Sequence, residues 1–381
     1  MTKLSMGMYA ILFLLLSCSP KTTNSNDSTP VQTTAKSKIQ VALCLDTSNS
    51  MDGLIDQTKS QLWKMVNELA SSRRDGEIPD IELALYEYGN SGLSATVGYV
   101  RQVSVLTTDL DLISEKLFEL KTNGGDEYCG WTIQSVTDDL EWSKSNDDLK
   151  LIIMAGNEPF NQGKVDYKIS CKAAISKGIM INTIHCGDYE TGVRTFWKDG
   201  ADLSDGEYMN INQDAKVVHI ETPFDTEILE LNQRLNDTYI GFGRSGKNRK
   251  EMQMEQDVNA ASYGEANNVE RAVSKSKAAY RNEEWDLVDA MKKDDKVLKD
   301  VKTEDLPEAM QAMTKAEQKE YVEKKATERE EIQTKINDLN TKRQAFIAEK
   351  QKTDGAALTL DNVMLKAVRK QAEAKRFLIK K

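Results

Sequence analysis

Histidine is nearly missing from this chain. His185 and His219 are the only two, too few for a histidine-rich metal centre. Cysteine is sparse as well, and Cys18, Cys44, Cys129, Cys171 and Cys186 match no zinc-ligand spacing. Basic residues are in deficit, 51 against 61 acidic, and the net charge of −10 argues against a nucleic-acid binder, which needs a basic footprint. Past the amino-terminal segment no apolar run approaches the roughly 20 residues of a membrane span, and no stretch repeats. The acid excess is uneven. Residues 301–381 carry 18 basic and 14 acidic side chains against 33 and 47 upstream, and close with "RKQAEAKRFLIKK".

The first twenty residues, "MTKLSMGMYAILFLLLSCSP", place one basic residue, Lys3, before an apolar run from Met8 to Leu16 that is short for a span. Leu15-Leu16-Ser17-Cys18 resembles the lipobox of bacterial lipoproteins. That resemblance implies removal of residues 1–17, lipid on Cys18, and an exported protein anchored to a bacterial membrane at the cell envelope. Ser19 after the cysteine leans towards the outer membrane. An ordinary signal peptide with a chance cysteine is the competing reading. Residues 18–37 then form a tether, since "SPKTTNSNDSTPVQTTAKSK" holds almost no large apolar side chain with which to order itself. In an exported chain the remaining four cysteines allow one disulfide or stay as buried thiols, and their spacing does not choose.

Between Ile39 and Ile211 short apolar runs alternate with amphipathic stretches. "KIQVALCLD", "DIELALYEYG", "GYVRQVSVLT", "LKLIIMAG" and "IMINTIHCG" read as strands. "GLIDQTKSQLWKMVNELASSRR", "DLDLISEKLFELKT", "GWTIQSVTDDLEWSK" and "YKISCKAAISKG" read as helices. This order predicts an α/β domain over 38–221, a doubly wound and mostly parallel sheet with helices on both faces. Ligands of such sheets sit beyond the carboxyl ends of the strands. Residues 222–381 turn polar and helical. Ile332, Ile336, Leu339 and Phe346 form a short heptad-like seam interrupted by Arg343, which suggests a small bundle or hairpin more than a long coiled coil.

One strand-to-helix turn carries the chemistry. "CLDTSNSMDG" offers Asp46, Ser48 and Ser50 at alternate positions, three hard oxygen groups within five residues. By itself the pattern equally suits a helix-capping turn. In context, "DTSNSM" after an apolar strand resembles the DxSxS signature of von Willebrand factor A domains, and the likeness extends from Ile39 to Gln213 through the order of elements. It implies a Rossmann-like fold with a metal-ion-dependent adhesion site. There a divalent cation (magnesium, with manganese or calcium as substitutes) accepts a carboxylate from a protein partner. The other two loops depart from the family. "TNGGDEYCGWT" offers Asp126 where a threonine is usual, with Thr122 and Thr132 as alternatives. "IIMAGNEPF" offers Asn157, or Glu158, where an aspartate is usual.

Three further patterns compete. Ser48 or Ser50 activated by His185 would make a serine hydrolase, but neither lies in a G-x-S-x-G elbow. Gly241, Gly243 and Gly246 fit a GxGxxG pattern, yet a helical stretch precedes them where a phosphate loop needs a strand. The basic carboxy-terminal helix, with Met364, Leu365, Val368 and Ala372 on one stripe, reads as packing rather than as a lipid surface. The sequence therefore predicts a non-enzymatic envelope lipoprotein that binds a protein through a cation. The alternative is a metal-free scaffold acting through its carboxy-terminal helices.

Overall fold

A computed structural model describes residues 36–212, 220–354 and 360–379. Cys18 and His219 lie outside them, and so does the tether apart from residues 36–37. The described residues form one compact unit. In its first half the elements are β1 (Lys38–Asp46), α1 (Asp52–Ala70), β2 (Ser72–Arg73), β3 (Asp80–Tyr88), β4 (Val100–Thr107), α2 (Leu110–Glu119), α3 (Cys129–Asp139), β5 (Leu149–Gly156), α4 (Tyr167–Ser176), β6 (Met180–Cys186), α5 (Tyr189–Arg194), α6 (Trp197–Asp202) and β7 (Tyr208–Ile211). Six strands make one sheet in the order β4-β3-β1-β5-β6-β7, parallel throughout except for β4 against β3. The fold class read from the sequence is the one observed. Helix ends move: α1 stops at Ala70, where Ser72–Arg73 become β2 instead of continuing the helix, and α3 stops at Asp139, so "LEWSK" leaves the helix, with the Trp142 indole donating to the Val136 carbonyl at 3.0 Å.

Alternation along β1 builds the two cores. Ile39, Val41, Leu43 and Leu45 face α1 and α2, whereas Ala42 and Cys44 face α3 and α4. Central strands covered on both faces are continuously apolar, which explains "LKLIIMAG" in β5. Cys44, Cys129, Cys171 and Cys186 are all buried free thiols, so the structure holds no disulfide among them.

The second half continues with α7 (Asp225–Asn236), α8 (Gly246–Ser262), α9 (Glu265–Lys275), α10 (Leu287–Lys293), α11 (Val297–Asp300), α12 (Glu308–Gln311), α13 (Lys315–Asp354), α14 (Leu360–Ala374) and β8 (Leu378–Ile379). It is packed on one face of the sheet region. The core on the α1 side runs without a break into Ile228, Leu231, Val269, Val273, Ile336 and Val368. The amphipathic pattern of α1 predicts a wet outer face. Instead Gln57, Ser60, Gln61 and Asn67 are buried there, with Asn67 Nδ2 donating to Glu270 on α9 at 2.8 Å. On α14, Gln371 and Asn182 of β6 exchange two amide hydrogen bonds, at 2.8 and 2.7 Å. β8 pairs antiparallel with β2. Arg343 does not break the seam of α13 but extends it as a buried charge, paired with Asp225 at 2.9 Å and Glu270 at 2.5 Å. The Gly241–Gly246 stretch is the connection between α7 and α8, where the two backbones approach too closely for a side chain at either glycine.

Candidate functional site

β1 delivers Asp46, fully buried, to the carboxyl edge of the sheet. The chain then folds over on itself. The Thr47 amide donates to the Tyr88 carbonyl at 2.9 Å and ties the turn to β3. The Ser48 amide donates to Asp46 Oδ1 at 2.8 Å and the Met51 amide to the Ser48 carbonyl at 3.0 Å, curling Asn49–Met51 into the single tight turn that opens α1. Two other loops close on it. The Asn123 amide donates to the Thr47 carbonyl at 2.9 Å, bringing in residues 120–128. From the end of β5, Asn157 Nδ2 donates to Ser50 Oγ at 3.1 Å, and the Ser48 and Ser50 hydroxyls lie 3.3 Å apart. Asp46, Ser48, Ser50 and Asn157 are thus brought into one group.

Other residues singled out from the sequence fall elsewhere. Asp126 is exposed and accepts from the Tyr128 hydroxyl at 3.2 Å. Thr122 donates to Asp52, and Thr132 to the Tyr128 carbonyl at 3.0 Å. Glu158 is partly exposed at the mouth; its Oε2 accepts from Gln162 at 3.1 Å and its carbonyl from the Trp197 indole at 2.9 Å. His185 is buried with its ring 5.9 Å from that of Trp197, enclosed by Gly187 and Gly192, and burial pushes its pKa down.

The side chain missed in the sequence is Glu127, next to Asp126. It is buried and turns inward beside Asp46: a methyl group placed on Gly89 would come within 2.7 Å of Glu127 Cγ and 2.8 Å of Asp46 Oδ1. "GGDEY" carries two adjacent carboxylates, and an extended loop sends neighbours to opposite sides, so either could have been the inner one.

Electrostatics mark the spot as unfinished. Burial pushes the Asp46 carboxyl up to about 6, against hydrogen bonds from Ser48, with the Glu158 charge adding to the rise. Burial, then the charge of Asp46, lifts Glu127 to about 8, offset in part by the Ser48 hydroxyl. Asp46 Oδ2 and Asn157 Oδ1 are buried without a hydrogen-bond partner. Buried polar atoms are nearly always satisfied, so an orphaned carboxylate oxygen beside a second carboxylate calls for a ligand. Among the described residues no group of three or more His, Cys, Asp and Glu side chains is spaced to hold a metal on its own. The donors here are mixed: carboxylates, hydroxyls and an amide oxygen. Such a hard oxygen set fits magnesium, manganese or calcium rather than a soft metal.

Gly156 keeps the pit open. A methyl group there would lie 2.3 Å from the Tyr88 hydroxyl and 3.1 Å from Asp46 Oδ2. Tyr88 is buried, and its hydroxyl donates to the Ala155 carbonyl at 2.8 Å, so it has nowhere to retreat. Gly156→Ala is therefore expected to lower unfolding stability by about 1–3 kcal/mol, read from the midpoint of urea denaturation.

The chain is a doubly wound α/β protein with an oxygen-lined pit at the carboxyl ends of its strands. No protein-family model matches the chain, and no curated protein sequence matches it. Among solved structures it is similar to the conserved hypothetical protein BatB from Bacteroides thetaiotaomicron, at 16% identity and a TM-score of 0.35 over 45% of this chain and 90% of that one. It is similar to the SpRpn10 VWA domain at 17% identity and a TM-score of 0.35, over 45% and 87% of the two chains. It is also similar to a von Willebrand factor type A protein from Catenulispora acidiphila at 15% identity and a TM-score of 0.33, over 47% and 39%.

Proposed function

We propose that this chain is a non-enzymatic binding protein of a bacterial cell envelope, lipid-anchored through Cys18. Its von Willebrand factor A-like region holds a divalent cation, magnesium first, and presents it to a protein partner. Asp46, Ser48, Ser50 and Asn157 would hold the ion, with Glu127 beside them in the place given to Asp126 from the sequence. The bound cation supplies an electrophilic centre that keeps water or a partner's donor atom in its remaining positions. The chain's own residues do the rest. The Ser48 amide orients Asp46, Asn157 braces Ser50, and Gly89 and Gly156 leave the pit unfilled. The observation that carries this reading is Asp46, wholly buried with one oxygen unpartnered.

Calorimetric titration of magnesium into the full chain, repeated with manganese and calcium, tests it. Saturable uptake near one ion per chain is the expected result. No uptake of any of the three would leave the metal-free scaffold, working through α7–α14, as the better account.

A further inference from the structure

The loop that carries Glu127 also carries a reactive dipeptide. Asn123–Gly124 is the single asparagine–glycine step in the sequence. Asparagine is thermally labile because the backbone nitrogen of the next residue can attack its side-chain carbonyl, and glycine leaves that nitrogen unshielded. Here both partners of the attack are free. Residues 121–128 form neither helix nor strand, and Asn123 is exposed. Among the described residues, neither the Asn123 side-chain amide nor the Gly124 backbone N–H has a hydrogen-bond partner. Asn90, on the adjoining turn, is the contrast. Its Nδ2 donates to the Lys121 carbonyl at 3.0 Å, its Oδ1 accepts from the Gly92 amide at 2.9 Å, and a serine follows it.

We propose that Asn123–Gly124 is a self-modification site, where the folded chain converts Asn123 to aspartate and isoaspartate and thereby loosens the Glu127 loop. Water is the only co-reactant, and no metal is needed. The Gly124 nitrogen gives up its proton and attacks Asn123 Cγ. The new N–Cγ bond closes a cyclic imide, the Cγ–Nδ2 bond breaks, and ammonia leaves with that proton. Water then opens the imide. Cleavage at Cγ gives aspartate with the backbone unchanged; cleavage at the main-chain carbonyl gives isoaspartate, whose backbone runs through the side chain and is one methylene longer. Nothing is oxidised or reduced. The loop is pinned on both sides of this step. The Asn123 amide donates to the Thr47 carbonyl at 2.9 Å, and a methyl group on Gly125 would meet the Gly89 carbonyl at 2.4 Å. A methylene inserted between those anchors leaves no register that keeps both. Glu127, two residues beyond Gly125, then loses its fixed place.

The test incubates the full chain in heavy-oxygen water at neutral pH and physiological temperature, followed by peptide mass spectrometry. An enzyme that methylates only isoaspartyl carboxyls counts the isoaspartate. Asn123 is expected to take up heavy oxygen roughly ten-fold faster than Asn90, mostly as isoaspartate. Gly124→Ala is the control. A methyl group there meets nothing closer than the Asn49 side-chain amide at 3.4 Å, so the fold stands while the attacking nitrogen is shielded. Conversion at Asn123 should fall roughly ten-fold in that variant. Hydrogen exchange over residues 120–128 reads the consequence. It should quicken in the aged wild type and stay unchanged in Asn123→Asp, which carries the new charge without the added methylene. Conversion of Asn123 no faster than of Asn90, or undiminished in Gly124→Ala, overturns the site. Exchange that does not quicken with isoaspartate, or quickens equally in Asn123→Asp, overturns the loosening.

Discussion

Asp46→Ala is expected to abolish saturable magnesium uptake and, with it, the stabilisation that magnesium confers. The wild-type chain should gain roughly 2.7 kcal/mol at a magnesium concentration 100-fold above Kd, since a ligand that binds only the folded state stabilises it by mass action. The variant should gain nothing, because loss of a carboxylate ligand exceeds the roughly 10–100-fold penalty known for outer supporting residues. Metal-free behaviour offers a second readout. The Asp46 carboxyl is raised to about 6 in the folded chain, chiefly by burial. Between the ordinary aspartate value and about 6 the folded state therefore binds more protons than the unfolded one. Stability contributed by this group is present at low pH and is lost as pH rises through that window. The variant should lack this component, measured as the change in urea midpoint from pH 4 to 7 in chelator. Magnesium stabilisation retained by the variant would remove Asp46 from the site.

Arg271→Met is expected to cost about 3–5 kcal/mol, because it leaves a buried carboxylate without its charged partner. Arg271 is fully buried on α9, paired with Asp111 of α2 at 2.6 Å and Asp257 of α8 at 3.0 Å, and lies over the Trp63 ring of α1 at 4.3 Å. Burial pushes Asp257 up, but the charges of Lys275 and Arg271 outweigh it and hold the group well below the usual carboxylate range. Lys275 remains to serve Asp257 in the variant, at 2.8 Å. Asp111 keeps only the Tyr280 hydroxyl, at 2.5 Å. Its carboxyl is already raised by burial despite Arg271, and removing the guanidinium raises it further. The deficit should shrink as pH falls, because protonating Asp111 in the folded variant relieves its unpaired charge. Urea denaturation at neutral and acidic pH measures both effects. Adding Asp111→Leu should restore much of the loss, as a buried ion pair replaced on both sides is often neutral. A loss below 1 kcal/mol would mean that water reaches the pair.

The sheet was legible because its strands are apolar runs of the right length separated by glycine and polar turns, and because α4 stops at Gly178 in the left-handed region, φ +72°. Asp46, Ser48 and Ser50 were legible because all three lie on one turn. Glu127 was not, since what selects it over Asp126 is backbone contact: Gly125 lies so close to Gly89 that a methyl group on it would meet the Gly89 carbonyl at 2.4 Å. That contact sets the loop's rotation, and nothing in "GGDEY" announces it. Arg343 read as an interruption for the same kind of reason. Its partners Asp225 and Glu270 lie 118 and 73 residues away, and a heptad count sees only neighbours. The polar residues on the outer side of α1 looked solvent-bound because the helices that cover them come from the far end of the chain.

The direction of β1 has a consequence for reach. The strand enters the sheet at Lys38 and ends eight residues later at Asp46. At about 3.3 Å per residue its two ends stand about 26 Å apart. The described chain enters at one edge of the sheet and the pit opens at the other.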